Sequence, residues 1–206
     1  MLDYFSNHRL KLRFPWSLYH APIVQALQQV VSESPGPALL NIGSGPFFEL
    51  DLLKLGSKRF TLCDIDERAI ALAKQRYGAR LAGADVTNPN AGLPYADGSF
   101  DTVVSMDVIE HVLDPVPWLL EARRVLKPNG VLFLTTPNYG STSLRVIEAT
   151  ALEAIARLQN FSRKHIHPTK MDVVRLASVL RSAGFHAPRV ESMAFDWVLA
   201  AYGSKA

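Results

Sequence analysis

The stretch that decides the fold is LLNIGSGPFFEL, Leu39–Leu50, in which a hydrophobic run breaks at Gly43-Ser44-Gly45. Apolar residues without polar alternation are typical of a strand that is buried on both faces, as in a parallel sheet. A glycine turn after such a strand lets the backbone approach a ligand closely, because no side chain intervenes and helix N–H groups face outward. The stretch therefore predicts a first parallel strand with a ligand site at its carboxyl end.

Alternating strand and helix patterns extend outward from this break. A helix is predicted over Ser17–Ser32, before the first strand. After the break, the pattern predicts in chain order a strand, a helix, two strands, a helix and a strand: RFTLCD, DERAIALAKQRYG, ARLAGAD, FDTVVSM, DPVPWLLEARRVLKPNG and VLFLTTP. This alternation predicts an α/β fold with a doubly wound, mostly parallel sheet.

Beyond the last of these strands the pattern changes. An apolar stripe predicts an inserted helix over Ser141–Leu158. After a linker, MDVVRLASVLRSAGF predicts a helix with Thr169 as its cap and Gly184 as its stop. Two short strands are predicted to follow, near Pro188–Met193 and Trp197–Tyr202.

The composition is that of an ordinary soluble globular protein. The chain has 206 residues, of which 48% are hydrophobic and 20% are charged. We expect one domain over residues 1–206, in which residues 1–35 form an N-terminal cap and residues 139–168 form an inserted lid helix and linker. The single cysteine, Cys63, lies in an apolar run and excludes an internal disulfide or a multi-cysteine zinc site.

Charge and hydropathy disfavour several classes of partner. The net charge of +3 is too small to indicate nucleic acid as a partner. The N-terminal sequence lacks the apolar segment of a signal peptide, and no run of about 18 apolar residues could span a bilayer. We therefore expect a cytoplasmic protein, and the sequence predicts no particular oligomeric state.

Acidic residues follow the predicted strands where a nucleoside could bind. Asp64 ends the second strand, 21 positions after Gly43, and can accept hydrogen bonds from ribose hydroxyls. Asp85 ends the third strand and can accept one from an exocyclic amine such as that of adenine. Asp66 is expected to cap the next helix instead. Because Phe48 stands where the dinucleotide fingerprint requires its third glycine, the pattern favours a cofactor without pyrophosphate over a nicotinamide or flavin dinucleotide.

Five motifs, spread over about half of the chain, resemble the class I S-adenosylmethionine-dependent methyltransferases, in the broad branch that acts on small molecules. They run in the family's order from about Leu39 to Asn138: LLNIGSGP, LCDIDERAIALAK, GADV, LPYADGSFDTVVSMDVIEHV and RVLKPNGVLFLTTPN. The resemblance implies a seven-stranded Rossmann-like sheet with an antiparallel C-terminal strand. It also implies methyl transfer as the activity, with S-adenosyl-L-methionine as the cofactor.

The resemblance assigns the methionine end of that cofactor to the glycine turn and the fourth strand. The residues of the turn would lie under the methionine part: Gly43, Ser44 and Gly45. Met106 would line the methionine and sulfonium region. Asn41 stands where the family usually has Asp or Glu, so it can hydrogen-bond to the cofactor's ammonium group but brings no charge. Phe47 replaces a residue that is usually small.

The adenosine end is assigned, again by resemblance, to the next two strands. Asp64 would hold the ribose hydroxyls, and Ile65 would pack on the adenine. Asp85 would accept a hydrogen bond from the adenine amine, while the backbone of Val86 donates one to the ring.

Histidines and one tyrosine are the candidates for the acceptor side. His111 matches a histidine that is common in this branch and could act as a general base; alternatively, it only orders the loop after the fourth strand. His165 and His167 would lie on one side of an extended backbone, as in a metal pair. The sequence identifies no third ligand, so no metal is expected and both histidines, with Tyr139, are assigned to the mouth of the acceptor pocket.

The favoured function is O-methylation of a small-molecule acceptor, because these side chains can take up a proton. Aromatic residues and a histidine of the N-terminal cap are further candidates for the pocket wall: Tyr4, Phe5, Trp16, Tyr19 and His20. The segment SMDV lacks the Asn/Asp-Pro-Pro-Tyr sequence of enzymes that methylate nucleobase amines, which disfavours that reaction. Three alternatives stay open: a methyltransferase with a macromolecular acceptor, a cofactor-binding pseudoenzyme and an NAD-binding oxidoreductase.

Overall fold

The computed structural model describes residue 14 and residues 16–88, 91–147 and 167–206. Seven strands form one sheet: β1 Ala38–Ile42, β2 Arg59–Asp64, β3 Leu81–Val86, β4 Phe100–Met106, β5 Leu126–Pro137, β6 His186–Met193 and β7 Val198–Ser204. Their order is β3-β2-β1-β4-β5-β7-β6. The first five pair in parallel, and β7 runs antiparallel to both β5 and β6. The predicted fold class is therefore confirmed.

Helices cover both faces of this sheet. They are α1 Ser17–Glu33, α2 Glu67–Tyr77, α3 Pro115–Val125, α4 Thr142–Ile147 and α5 Val173–Ser182. Asp66 caps α2 as predicted, because its side chain accepts a hydrogen bond from the backbone N–H of Arg68. No helix among the described residues combines the length and the apolar character needed to cross a membrane.

The hydrophobic core lies on both sides of the sheet. On one face, Leu40 and Leu132 belong to a cluster that includes buried residues of α3 and α5. On the other face, Leu39 and Leu62 belong to a cluster with buried residues of α1 and α2. Every residue of β4 except Met106 is buried. This burial on two faces explains why the strand sequences show no polar alternation.

The strand order reverses between β1 and β4, which are neighbours in the sheet although β2 and β3 separate them in the chain. Ligands of open α/β sheets bind outside the carboxyl ends of the strands at such a reversal. Gly43 directly follows the end of β1, and Met106 ends β4. The topology therefore places the predicted cofactor residues at the expected edge.

The predicted cap of α5 is wrong. Asp172, not Thr169, caps this helix, and its Oδ1 accepts a hydrogen bond from the backbone N–H of Arg175 at 2.8 Å. Thr169 is buried, and its hydroxyl donates to the carbonyl oxygen of Val112 instead. This contact joins the segment before α5 to the loop after β4. Gly184 ends the helix region with φ +78°, as predicted.

The predicted boundary between α3 and β5 is also wrong. Helix α3 ends at Val125 and β5 begins at Leu126, because LKPNG continues the strand through a register shift opposite Phe100 and Thr102. The predicted helix over Ser141–Leu158 is described only as α4, since positions 148–158 lie outside the described residues.

Phe47, which departs from the family's pattern, has a structural role. Its φ of 51° lies in the left-handed region, which costs a bulky residue about 1–2 kcal/mol. Its side chain is nevertheless only 1% exposed and packs edge-to-face on Phe60, with ring centroids 5.0 Å apart. We infer that burial of this ring offsets the backbone strain and fixes the end of the glycine turn.

Substitution of Phe47 tests that role. We expect Phe47→Ala to lower the free energy of unfolding by about 3–5 kcal/mol, because it opens a cavity beside Phe60. The control is Phe195→Ala, since Phe195 is 68% exposed and its loss should change stability by less than about 0.5 kcal/mol. Urea denaturation measures both. Equal stability of the two variants would contradict the assignment.

Candidate active site

The glycine turn is tied to the end of β2. The backbone N–H groups of Gly43 and Ser44 donate to the carbonyl oxygen of Cys63 at 2.8 and 3.1 Å. The N–H of Gly45 donates to Oδ2 of Asp64 at 2.7 Å. Gly43 and Gly45 have φ values of +68° and +54°. A Cβ on Gly43 would lie 2.5 Å from Cγ2 of Val108, so both conformation and space require glycine there.

Asp64 is half-buried and already holds two backbone N–H groups. Besides Gly45, its Oδ1 accepts from the N–H of Asp66 at 2.8 Å. A carboxylate offers about four acceptor positions, so these bonds orient the group and leave capacity for ribose hydroxyls. Asp66 is engaged differently, because its side chain pairs with Arg68 and this hydrogen bond lowers the pKa of the Asp66 carboxyl. The geometry therefore favours Asp64 over Asp66 for a ribose.

Two exposed apolar side chains flank the acidic residues. Ile65 is 67% exposed and Val86 is 55% exposed. Asp64 on β2 pairs with Val86 on β3, so both apolar groups lie at the same end of neighbouring strands. Such exposed apolar groups beside carboxylates suit the flat face of an adenine ring.

Tyr95 orients Asp85, and this contact was not predicted from the sequence. Its hydroxyl donates to Oδ2 of Asp85 at 3.0 Å, and its ring packs edge-to-face on Phe100. Burial raises the pKa of the Tyr95 hydroxyl, so the phenol keeps the proton that it donates. No local pattern could have identified this contact, because it joins a loop residue to a strand end ten positions earlier.

Asn41 is fully buried within β1, between Leu62 of β2 and Val104 of β4. Among the described residues, neither its Nδ2 nor its Oδ1 has a hydrogen-bond partner. An unsatisfied buried amide costs about 1–3 kcal/mol, so a bound ligand or water that reached it would be stabilised. Within the described part of the chain, the Asn41 side chain therefore makes no hydrogen bond to the other predicted cofactor residues.

The chain turns sharply after β4. Asp107 has φ +53°, and its Oδ1 accepts a hydrogen bond from Oγ1 of Thr135 at 3.0 Å. Its N–H donates to the carbonyl of the same threonine. Half-buried Met106 precedes this turn, and a short 3-10 helix over Ile109–His111 follows it. The turn therefore carries the chain from the predicted cofactor region to the predicted base.

Three of the residues predicted for the acceptor side meet at this edge. The rings of His111 and His167 lie edge-to-face with their centroids 4.8 Å apart. The ring centroids of Tyr139 and His167 are 6.0 Å apart. The hydroxyl of Tyr139 contacts Nδ1 of His167. The ammonium of Lys170 lies 5.3 Å from the centroid of the Tyr139 ring. Exposed His111 and half-buried His167 are 56 positions apart in sequence, and the fold brings them together.

Thr169 holds this cluster in place. Its N–H donates to the carbonyl of Glu110 and its hydroxyl to that of Val112. Tyr139 is fixed separately, because its N–H donates to the carbonyl of Met171 at 2.8 Å. These hydrogen bonds hold residues 167–171 against the segments that follow β4 and β5.

The other predicted pocket residues either lie at the start of α1 or fall outside the described residues. Trp16, Tyr19 and His20 lie at the start of α1, where the rings of Tyr19 and His20 pack on each other. This end of α1 borders a shallow groove with Ala194 and Phe195, in the turn between β6 and β7. The remaining candidates lie outside the described residues: Tyr4, Phe5 and His165.

The residues at this edge fit S-adenosyl-L-methionine. A glycine turn, two oriented carboxylates and two exposed apolar side chains lie along the ends of β1, β2 and β3. Such a turn can lie close to a methionine, carboxylates can accept hydrogen bonds from ribose hydroxyls and an amine, and apolar side chains can pack on the face of an adenine.

Comparison with known proteins agrees with this geometry. A family model described as a methyltransferase domain matches residues 40–134. A probable S-adenosylmethionine-dependent methyltransferase of Mycolicibacterium smegmatis is 35% identical over 112 residues, which cover 54% of this chain and 42% of that protein. One of Mycobacterium tuberculosis is 29% identical over 165 residues, which cover 75% of this chain and 54% of that protein.

A third relative has a more specific name. A ubiquinone biosynthesis O-methyltransferase of Xanthomonas euvesicatoria is 35% identical over 99 residues, which cover 48% of this chain and 41% of that protein. This chain thus spans about half the length of the curated relatives that it matches.

Solved structures agree with the fold. A SAM-dependent methyltransferase of Thermotoga maritima, described as a possible histamine N-methyltransferase, superposes with a TM-score of 0.70. It is 20% identical, and the match covers 98% of this chain and 96% of that chain. The matched residues 40–134 include the glycine turn, both carboxylates and the turn after β4. Residues 40–134 therefore form a methyltransferase domain, and the chain has the fold of the class I S-adenosylmethionine-dependent methyltransferases.

Proposed function

We propose that this chain transfers the methyl group of S-adenosyl-L-methionine to a hydroxyl oxygen of a small-molecule acceptor. The observation that carries the proposal is the cluster of His111, Tyr139 and His167 at the same sheet edge as the glycine turn. A hydroxyl acceptor must lose a proton when its oxygen is methylated, and imidazoles can take up such a proton near neutral pH.

The residues of the chain have separate parts in this reaction. The glycine turn, Asp64 and Asp85 bind and orient the cofactor, which supplies an electrophilic methyl group on a sulfonium. His111 would take up the hydroxyl proton as the acceptor oxygen gains the methyl group, and the electron pair of the broken carbon–sulfur bond would stay on the sulfur of the cofactor. Orientation of the two reactants can lower the activation barrier by roughly 7–11 kcal/mol in favourable cases, so the general base needs to contribute less to the rate.

The names of relatives give additional support. Ubiquinone biosynthesis O-methyltransferases occur among the similar proteins, although the match covers less than half of the Xanthomonas protein. Their names concern O-methylation of a small molecule. The open alternatives, a macromolecular acceptor and a pseudoenzyme, become outcomes of the test.

The reaction is tested with S-adenosylmethionine that carries a ¹³C-labelled methyl group. We expect the label to appear in a low-molecular-weight hydroxyl compound from a pool of candidate acceptors, with a ¹³C shift typical of a methyl group on oxygen. Label on nitrogen or carbon would reject O-methylation. Label in protein or RNA would favour a macromolecular acceptor, and cofactor binding without any transfer would favour a pseudoenzyme.

The role of Asp64 is tested with its neighbour as control. S-adenosylhomocysteine should raise the melting temperature of the wild-type protein, whereas NAD should not. We expect Asp64→Ala to weaken S-adenosylhomocysteine binding by about 10- to 100-fold, because charged hydrogen bonds contribute about 1.5–3 kcal/mol each. Asp66→Asn keeps an oxygen that can cap α2 and should bind normally. Stabilisation by NAD alone would favour the oxidoreductase.

The role of Tyr95 is tested by removing only its hydroxyl. We expect Tyr95→Phe to weaken S-adenosylhomocysteine binding about two- to tenfold, because Asp85 loses a hydrogen bond worth about 1 kcal/mol. Isothermal titration calorimetry measures the change. Tyr139→Phe is the matched control, because Tyr139 belongs to the acceptor side. The affinity of this variant for S-adenosylhomocysteine should equal that of the wild type. Identical affinities of all three proteins would show that Tyr95 does not support the cofactor site.

A further inference from the structure

We propose that Glu110, His111 and His167 bind a divalent transition-metal ion. One candidate ligand atom from each of these side chains lies within 4.8 Å of the other two. The expectation of no metal rested on the lack of a third ligand for the pair His165 and His167. The structure supplies a different set, in which His167 joins a carboxylate and an imidazole from the turn after β4.

Short-range contacts hold the two halves of this site together. Glu110 and His111 lie on the 3-10 helix Ile109–His111, and His167 lies two positions before Thr169. The backbone carbonyl of Glu110 accepts the N–H of Thr169 at 3.1 Å, and the hydroxyl of Thr169 bonds to the carbonyl of Val112. The ligands are thus brought together by backbone contacts, independently of their own side chains.

Glu110 has the features of an oriented carboxylate ligand. It is only 1% exposed, and its Oε2 accepts a hydrogen bond from Oγ1 of buried Thr136 at 3.0 Å. An ionised carboxylate is costly to bury unless it is paired, hydrogen-bonded or bound to a metal. Metal-binding carboxylates are normally held by such a neighbouring hydrogen bond.

His167 is held in the way that metal-binding histidines usually are. The ring nitrogen that does not bind the ion normally makes a hydrogen bond, which sets the tautomer and the ring orientation. The Tyr139 hydroxyl contacts Nδ1 of His167, which assigns Nε2 to the ion. Tyr139 then has a positioning role in place of a direct one at the acceptor.

The donor set indicates which ions would bind. Two imidazoles and one carboxylate suit zinc, cobalt, nickel and iron better than magnesium or calcium, which prefer oxygen ligands. Ligands of a tetrahedral zinc lie about 2.0–2.2 Å from the ion and so roughly 3.3 Å from one another. The candidate ligand atoms lie within 4.8 Å of one another, so binding requires them to approach by at most about 1.5 Å, and rotation of the exposed His111 ring contributes to that approach. Three protein ligands also leave a position open, as in catalytic metal sites.

The open position deepens the proposed function on which this part of the inference rests. An acceptor hydroxyl bound to the ion would have a lower pKa and would release its proton to water before its oxygen is methylated. With an ion bound, His111 acts as a ligand and no longer as the general base. The metal therefore selects acceptors whose oxygen can coordinate it.

Cobalt binding tests the site without reference to activity. Tag-free protein is treated with a chelator and then titrated with Co²⁺ in a calorimeter and a visible spectrophotometer. We expect one ion per chain with absorption bands of coordinated cobalt. Glu110→Gln keeps an oxygen for Thr136 and should weaken binding at least about tenfold, as should His167→Gln. His186→Gln should bind normally, because His186 lies at the start of β6, away from the cluster.

The outcomes separate this inference from the proposed function. Absence of cobalt binding, or an equal loss in His186→Gln, would overturn the metal site. Thermal unfolding without metal shows whether Glu110→Gln folds, since Glu110 is buried. If it does not fold, His111→Gln is the second ligand variant, because His111 is exposed. Cobalt binding without any methyl transfer would reject the proposed reaction alone. If the chelator-treated protein binds no cobalt but still methylates oxygen at the full rate, the metal site is rejected and the proposed reaction stands.

Discussion

The candidate site depends on the hydrogen bonds that join the carboxyl end of β1 to that of β2. The glycine turn donates to the carbonyl of Cys63 and to the carboxylate of Asp64, which also accepts the N–H of Asp66. One side chain thereby fixes the turn, the start of α2 and its own carboxylate. Because β1 lies where the strand order reverses, this edge is open to a ligand.

Burial around this junction keeps it rigid and chemically inert. Cys63 is fully buried, and desolvation raises the pKa of its thiol to about 12, so the sulfur is neither a nucleophile nor a metal ligand at neutral pH. Phe47 closes the other end of the turn by packing on Phe60. The turn can therefore present its backbone to a cofactor while its neighbours belong to the core.

The fold could be predicted from sequence because its signals are local. Strand patterns alternate with turn or helix signals along the parallel part of the chain, so the strands could be identified one by one. Asp66 was recognised as a cap for the same reason. Thr169 was assigned wrongly because Asp172 offers an equally good capping oxygen three positions later. The hydrogen bond from the Thr169 hydroxyl to the carbonyl oxygen of Val112, 57 positions away in sequence, decides between them.

The acceptor side could be predicted only in part, because it is built from contacts between distant loops. The sequence indicated His111, Tyr139 and His167 one at a time, but not that His111 and His167 meet. Glu110 was passed over although it adjoins His111, since nothing local indicates that its side chain turns inward to Thr136. Tyr95 was missed for a similar reason, because its partner Asp85 lies across a loop.

A crystal structure with S-adenosylhomocysteine bound would show where the cofactor lies. We expect the carboxylate of Asp64 to lie within hydrogen-bonding distance of both ribose hydroxyls, with the adenine between Ile65 and Val86 and its amine on Asp85. A cofactor bound elsewhere on the sheet, or a ribose that does not contact Asp64, would contradict this placement.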